Sequence, residues 1–280
     1  MRIYNKMMFV CYECKRIITK KKFIAEIDIT YRCQLNCTHC YYKHHENIIE
    51  KSDEEWFSFF DELYLGGVRF ILLVGGEPSL RMKLIEYASK KFQFVDVITN
   101  GQIKIPETIK CRIFLSIDGS ESVNDSIRGV GTYKKAINNY RRDKRVIINF
   151  TITENNIDEL EKVLIIAKQN SIKSVVCNVI TPNVLDNCNK SILSVEIRSQ
   201  IIKELLRLKM KHPKTLGLSK AIIKWYEDPD HTNYCYWKSN VLHYDYLFNS
   251  KYCFSDLDCR CCGCFAGASL STKNPFKNKT

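Results

Sequence analysis

Nowhere in the 280 residues is there an uninterrupted apolar run of the ~18 positions that a membrane-crossing helix needs, so no membrane span is expected. The opening MRIYNKMMFV lacks a secretory h-region. Export is therefore not expected, and a cytoplasmic location is. No internal repeat and no low-complexity linker interrupts the chain. There is also no long basic block: the formal charge of +12 would suit an anionic partner, but the lysines and arginines run thinly from Lys6 to Lys279. That spread reads as a solvated surface, and a dedicated nucleic-acid role is not expected.

Cysteine, by contrast, is plentiful. Fourteen of them in a chain expected to stay in a reducing compartment read as thiols for metals or clusters, not as a disulfide framework. At this length one main core with a small appendage is the default.

Short apolar runs rich in β-branched residues alternate with stretches of helical period, the pattern of repeated βα units. The expected strands are 23–30, 68–74, 94–99, 111–117, 145–151 and 173–180. Between them Trp56, Phe60, Leu63 and Tyr64 share a helix face behind a capping box from Ser52 to Glu55. Tyr133, Ala136, Ile137 and Tyr140 repeat that spacing, as do Leu160, Val163, Leu164 and Ala167, and all are scaffold. Helices joining successive strands force parallel pairing with right-handed crossovers, so six units form an open or partly closed barrel. A long helix over 194–211 ends at His212-Pro213, and beyond it the βα rhythm stops.

The distinctive motifs fall at the carboxyl ends of these strands, where βα loops build sites. Cys33, Cys37 and Cys40 follow the first strand, GGEP (Gly75, Gly76, Glu77, Pro78) the second, TNG with Asn100 the third, and SIDG with Ser116 and Asp118 the fourth. A closed structural zinc site needs four ligands. Three cysteines leave one position for something else, as a [4Fe-4S] cluster on three thiolates does. The rival is zinc, completed by His39, His44 or His45.

CxxxCxxC, GGEP and SIDGSESVNDSIRGVGTY, in this order after strands one, two and four, resemble the radical S-adenosylmethionine (SAM) enzymes over residues 23–182. The resemblance implies an α/β fold: a parallel partial (β/α)6 TIM-like barrel with a small Cys-rich C-terminal extension. It implies that Cys33, Cys37 and Cys40 ligate three irons of a [4Fe-4S] cluster and that SAM chelates the fourth. An electron from a reducing donor then cleaves SAM to methionine and a 5'-deoxyadenosyl radical, which abstracts hydrogen from substrate.

Physical reasons accompany the other motifs. Gly75 and Gly76 let backbone approach the ligand closely, Pro78 stiffens the turn, and Glu77 offers negative charge to the SAM ammonium. Asn100, Ser116 and Asp118 suit the ribose and methionine parts, and Arg128 the carboxylate. Related sequences often carry His before Asp125. Here Asn124 stands, and it is given no catalytic role.

Six cysteines lie after residue 234. Cys235 and Cys253 flank an alternating segment with a turn-like LFNS, expected to form a β-hairpin, and Cys259 and Cys262 make a CxxC. The pattern resembles the twitch extension, a shortened relative of SPASM, and implies a second [4Fe-4S] cluster on Cys235, Cys253, Cys259 and Cys262. Cys261 and Cys264 compete as ligands, and zinc competes as the metal. The related pattern has Gly five positions before the second hairpin cysteine, whereas Phe248 stands here.

The expected organisation is an N-terminal segment with the unassigned Cys11 and Cys14 over 1–22, the core over 23–212 and the Cys-rich region over 213–280. Cys111, Cys177 and Cys188 read as structural. The leading function is a radical SAM enzyme modifying a peptide, protein or cofactor precursor. A metal-stabilised nucleic-acid-binding protein is the alternative, and it leaves GGEP unexplained. Polar methyl transfer normally uses a glycine-rich loop where these cysteines stand.

Overall fold

The computed structural model describes residues 2–40, 42, 49–180, 193–227, 234–253 and 262–273. Its centre is a sheet of β1 (Ile24–Thr30), β2 (Phe70–Gly75), β3 (Phe94–Thr99), β4 (Arg112–Ser116), β5 (Val146–Ile152), β6 (Val175–Val179) and β7 (Leu242–Tyr244). The spatial order is β6-β5-β4-β3-β2-β1-β7, and every strand pairing is parallel. The six strands expected from the βα rhythm are all present. β7 was not expected: the tail returns three residues to the free edge of β1, pairing Ala25 with Leu242 and Ile27 with Tyr244.

Between the strands come α2 (Asp53–Leu65), α3 (Met82–Lys91), α4 (Glu121–Arg128), α5 (Thr132–Tyr140) and α6 (Leu160–Gln169), with α7 (Val195–Lys211) and α8 (Lys220–Glu227) after β6. α1 (Arg2–Thr19) precedes the sheet, and α9 (Tyr236–Asn240) and α10 (Phe265–Lys273) flank β7. The capping box forms as expected, with Ser52 accepting from Glu55 N and Glu55 accepting from Ser52 N. Both sites lend α2 orphan-group partners at its first turn.

Alternation along each strand divides the core in two. Ala25, Ile27 and Ile29 of β1 join Ile71 and Leu73 of β2 in the large cluster under the helices, where Trp56, Phe60, Leu84 and Val163 are fully buried. Truncating a side chain such as Phe60 to alanine would cost about 3–5 kcal/mol. Ile24, Leu72 and Val74 belong to a second cluster, with Tyr236, Trp237 and Val241 of the tail and Phe9 and Tyr12 of α1. The tail and α1 thus cover this second face of the sheet at β1 and β2.

Both edges of the six core strands carry further backbone contacts. β7 covers β1, while Val179 N donates to Gly263 O (2.9 Å) and Val175 N to Thr215 O (2.8 Å) along β6. Unpaired strand edges are sites of unwanted association, and these contacts reduce them.

The segment expected to be a hairpin between Cys235 and Cys253 is instead a helical turn, a parallel strand and a tight turn. A single antiparallel bridge, Tyr244 to Ser250, is what exists of the hairpin. Leu242–Tyr244 pairs with β1 along one edge and, at Tyr244, with Ser250 along the other. Asp245 organises the turn, accepting from Leu247 N (2.9 Å) and Asn249 N (2.8 Å). Phe248 takes φ +72° at its tip, stacked on Phe59 at 4.4 Å and edge-on to Trp56 at 4.7 Å.

Candidate radical SAM site

Gly75 and Gly76 explain how the cysteine loop is held. Gly76 N donates to Thr30 O (2.7 Å) and Glu77 N to Arg32 O (2.9 Å), so the GGEP turn and the loop leaving β1 share backbone bonds. A Cβ on Gly75, at φ +121°, would sit 2.1 Å from Thr30 O, and one on Gly76 would sit 2.4 Å from Arg32 O. No side chain fits either position. The glycines, expected to let backbone approach a ligand, here let the backbone of 30–32 approach the GGEP turn.

A second clamp comes from Glu50, which sequence reasoning missed. Its carboxylate accepts from the Thr30 hydroxyl, from Tyr31 N (3.2 Å) and from Arg32 Nε (2.8 Å), and it pairs with Arg81 (3.2 Å). No local pattern marks such a residue, because every partner lies elsewhere in the chain.

Within the loop, Cys33 is exposed, Cys37 buried and Cys40 intermediate. Leu35 N lies 3.4 Å from Cys33 Sγ, Tyr42 N 3.4 Å from Cys40 Sγ, and Asn100 Nδ2 3.6 Å from Cys33 Sγ. Although Cys33 is exposed as a residue, protein packed around its sulfur pushes the thiol up to about 11, with Glu77, Cys37 and Cys40 adding to the rise and the Leu35 N–H opposing it. Burial also raises Cys37, against the Arg128 guanidinium, which favours its thiolate. These donors and this cation suit three thiolates that bear a metal cluster, since each stabilises charge on sulfur. Among the described residues no three His, Cys, Asp or Glu side chains close on a single ion position.

Glu77 is buried at the end of β2, where its carboxylate accepts from Thr99 Oγ1 (2.6 Å), Asn100 N (2.7 Å) and Ser79 N (3.0 Å). Burial raises its pKa, and these hydrogen bonds work against the rise. Pro78 opens the short 3-10 turn Pro78–Arg81 that follows. Asn100 joins the set from β3, its Oδ1 accepting from Gln34 Nε2 (3.3 Å).

Asp118, fully buried after β4, accepts from Arg128 Nε (2.7 Å) and from Thr151 N (3.0 Å), and His39 Nε2 lies 3.4 Å away. α4 is tied to the cysteine loop by Thr38 N donating to Ile127 O (2.9 Å). Arg128, expected for the SAM carboxylate, is here the partner of Asp118. Asn124, buried, accepts from Asp118 N (3.1 Å) and donates to Thr132 Oγ1 (3.2 Å), which is a scaffold role. His39, one candidate zinc ligand, stands beside Asp118, while His44 and His45 lie outside the described residues.

Ser116 ends β4 in register with Asn149. Asn178 Nδ2 donates to Asn149 Oδ1 (2.7 Å), and Phe265 N donates to Asn178 Oδ1 (2.8 Å). This row of amides crosses β5 and β6 and reaches the tail, and single-sequence reading had no signal for it. On β1, buried Asp28 accepts from Lys251 Nζ (2.5 Å) and Tyr42 OH (2.7 Å). The cysteine loop and the tail turn therefore meet on one carboxylate.

In the tail, Cys235, Cys253, Cys262 and Cys264 are described, while Cys259 and Cys261 lie outside the described residues. Cys111 and Cys177 are buried, as expected of structural thiols, and Cys188 lies outside the described residues. Cys11 and Cys14 are exposed on α1.

No described helix is long and apolar enough to cross a membrane. Residues 27–184 match the Radical SAM superfamily. Fe-coproporphyrin III synthase of Methanosarcina barkeri is 30% identical over 172 residues, 55% of this chain and 43% of that protein. Sporulation killing factor maturation protein SkfB of Bacillus subtilis is 30% identical over 154 residues, 49% of this chain and 38% of that protein. The chain thus spans about two fifths of the length of these curated relatives.

Among solved structures, Streptococcus suis SuiB bound to precursor peptide SuiA superposes with a TM-score of 0.66 at 14% identity, covering 92% of this chain and 66% of that one. Native anSMEcpe with bound AdoMet and Cp18Cys peptide gives 0.63 at 18% identity, covering 90% and 81%. At such identities the structures speak for the fold, a parallel α/β partial barrel. The sequence match carries the family, because it spans more than half of the chain and contains the cysteine loop, GGEP and SIDG together. The chain belongs to the Radical SAM superfamily of enzymes.

Proposed function

We propose that this chain reductively cleaves SAM at a [4Fe-4S] cluster to modify a peptide, a protein or a cofactor precursor. The observation that carries the reading is the fastening of the Cys33, Cys37 and Cys40 loop against GGEP and α4 at the carboxyl ends of the strands. Three thiols stand there, with N–H donors at the sulfurs of Cys33 and Cys40 and the Arg128 charge acting on Cys37. When bound, the cluster and SAM together supply a 5'-deoxyadenosyl radical.

The chain's own groups divide the remaining work. Cys33, Cys37 and Cys40 hold three irons and leave the fourth for SAM. Glu77 offers charge to the SAM ammonium and Arg128 to its carboxylate, each sharing or exchanging its present partners as SAM enters. Asn100, Ser116 and Asp118 receive the ribose and methionine portions, with Gly75, Gly76 and Pro78 keeping the wall in place. The tail, covering one face of the sheet at β1 and β2, excludes water from a reactive species.

The region over 213–280 holds a second [4Fe-4S] cluster on Cys235, Cys253, Cys259 and Cys262. A peptide substrate is supported by the likeness to SuiB and anSMEcpe, whose structures contain peptides, and a cofactor precursor by the relationship to Fe-coproporphyrin III synthase. An external donor supplies the electron, and the reading places the enzyme in the cytoplasm. Protein reconstituted anaerobically with iron and sulfide, then reduced, is expected to convert SAM to 5'-deoxyadenosine. The Cys33, Cys37 and Cys40 triple alanine variant is expected to form none, and equal product from both would refute the proposal.

A further inference from the structure

Asp28 of β1 touches both ends of the cysteine loop. Tyr31, two residues before Cys33, donates its hydroxyl to Asp28 Oδ2 (3.2 Å), and Tyr42, two residues after Cys40, donates its own to Asp28 Oδ1 (2.7 Å). The two tyrosine rings meet with centroids 5.1 Å apart. A third group on this fully buried carboxylate is Lys251 Nζ, 2.5 Å from Oδ2, which comes from the tail turn 223 positions away. We infer that Asp28 is a positioning residue that draws the two ends of the cysteine loop together, and that Lys251 makes this hold depend on the docked tail. The inference rests on the reading that Cys33, Cys37 and Cys40 carry the SAM-binding cluster.

A buried carboxylate needs donors on its oxygens and a charge to balance its own. The tyrosines give Asp28 neutral donors, and Lys251 gives it the charge. Burial pushes the Asp28 carboxyl up, and the Lys251 ammonium opposes that rise. Glu26, the neighbouring buried acid two positions back along β1, leans on the tail as well. It accepts from Trp237 Nε1 (2.7 Å), lies 3.1 Å from His243 Nδ1, and has Lys251 Nζ 4.0 Å from its other oxygen. Tyr246 of the same tail turn packs on Tyr31, with centroids 4.3 Å apart. A tail that leaves β1 therefore strips partners from two buried acids, one of which holds the cysteine loop.

The hold reaches a sulfur. Tyr42 N lies 3.4 Å from Cys40 Sγ, so the residue whose hydroxyl Asp28 grips is also the one whose N–H faces that thiolate. Hydrogen bonds to ligand sulfurs help set a cluster's potential, because the N–H dipole stabilises the added electron. Freeing Tyr42 should lower the potential without removing a ligand.

The test uses the full chain and four variants: Tyr42→Phe, Lys251→Met, the two combined, and Lys251→Arg. In metal-free protein, alkylation read by peptide mass spectrometry should label Cys40 several-fold faster in Tyr42→Phe and in Lys251→Met. The combined variant should be little faster than either, since both act through Asp28, and Lys251→Arg should stay near parent. Buried Cys111 serves as the control for general unfolding and should keep its parent rate. Should Lys251→Met fail to fold, Asp28→Asn with Lys251→Met removes the unpaired charge, and the same rise at Cys40 is expected of it. In iron-loaded protein, the midpoint potential of the cluster whose paramagnetic signal responds to SAM should fall in Tyr42→Phe at unchanged iron content. Parent-like labelling of Cys40 in the variants, a rise at Cys111 in step with Cys40, or an unmoved potential would overturn the inference. Failure of parent protein to bind iron at the three cysteines would instead overturn the cluster reading, and the metal-free labelling would still judge the hold on the loop.

Discussion

Arg128 reaches a single oxygen of Asp118 with two nitrogens, Nη2 at 2.6 Å and Nε at 2.7 Å, on a carboxylate that is 1% exposed. The pair joins α4 to the end of β4 beneath the cysteine loop. Removing one member leaves the other charge buried, so Arg128→Ala is expected to destabilise the fold by about 3–5 kcal/mol. Pairing it with Asp118→Asn should recover part of that loss. Denaturant unfolding of the metal-free chain reads both. Equal stability of Arg128→Ala and parent would show that the pair does not form.

Gly76→Ala should act on iron content before it acts on SAM. Its Cβ would press on Arg32 O and Tyr31 O, both in the backbone that carries Cys33, and displacing that loop costs on the order of 1–3 kcal/mol of local strain. Iron per chain after reconstitution with the tail cysteines replaced should fall well below that of parent. Full loading would contradict the account of the GGEP turn.

Phe248 occupies a left-handed conformation that costs a non-glycine residue roughly 1–2 kcal/mol. Its ring repays this by stacking on Phe59 and meeting Trp56. Phe248→Ala keeps the strain and loses the rings, while Phe248→Gly loses the rings and relieves the strain. Both variants should be less stable than parent, with the glycine variant the better by about 1 kcal/mol. Thermal unfolding ranks them, and the reverse order would count against the argument.

Glu161 ties α6 to the end of α7, with Lys211 and Arg207 each at 2.7 Å and His212 at 3.1 Å. These hydrogen bonds, Lys211 first, hold its carboxyl at about 2, below its ordinary 4.5. A depressed folded pKa adds stability above the unfolded value and loses it as pH falls through the folded one. Glu161→Gln should therefore lower the Tm at pH 6, and the gap from parent should close as pH falls from about 4.5 toward 2. A gap independent of pH would show that the effect is not ionic.

These residues mark what the sequence could and could not disclose. Strands such as Phe94–Thr99 announce themselves by β-branched runs, and α2 by its capping box, because those signals are local. The cysteine loop, GGEP and SIDG are contiguous too, and their places at strand ends follow from the βα rhythm. β7 is invisible because three residues hold no period, and only the open edge of β1 makes them a strand. Glu50, Asn178 and Lys251 act through partners tens to hundreds of positions away.

The central claim is that the iron left open by Cys33, Cys37 and Cys40 binds SAM directly. Its most direct measurement is electron-nuclear double resonance on the reduced, reconstituted chain with SAM carrying 15N in its amino group. The account predicts a nitrogen coupling to the cluster that appears with SAM and is absent in the triple alanine variant. A reduced cluster whose spectrum is unchanged by saturating SAM, with no 15N coupling, would contradict it.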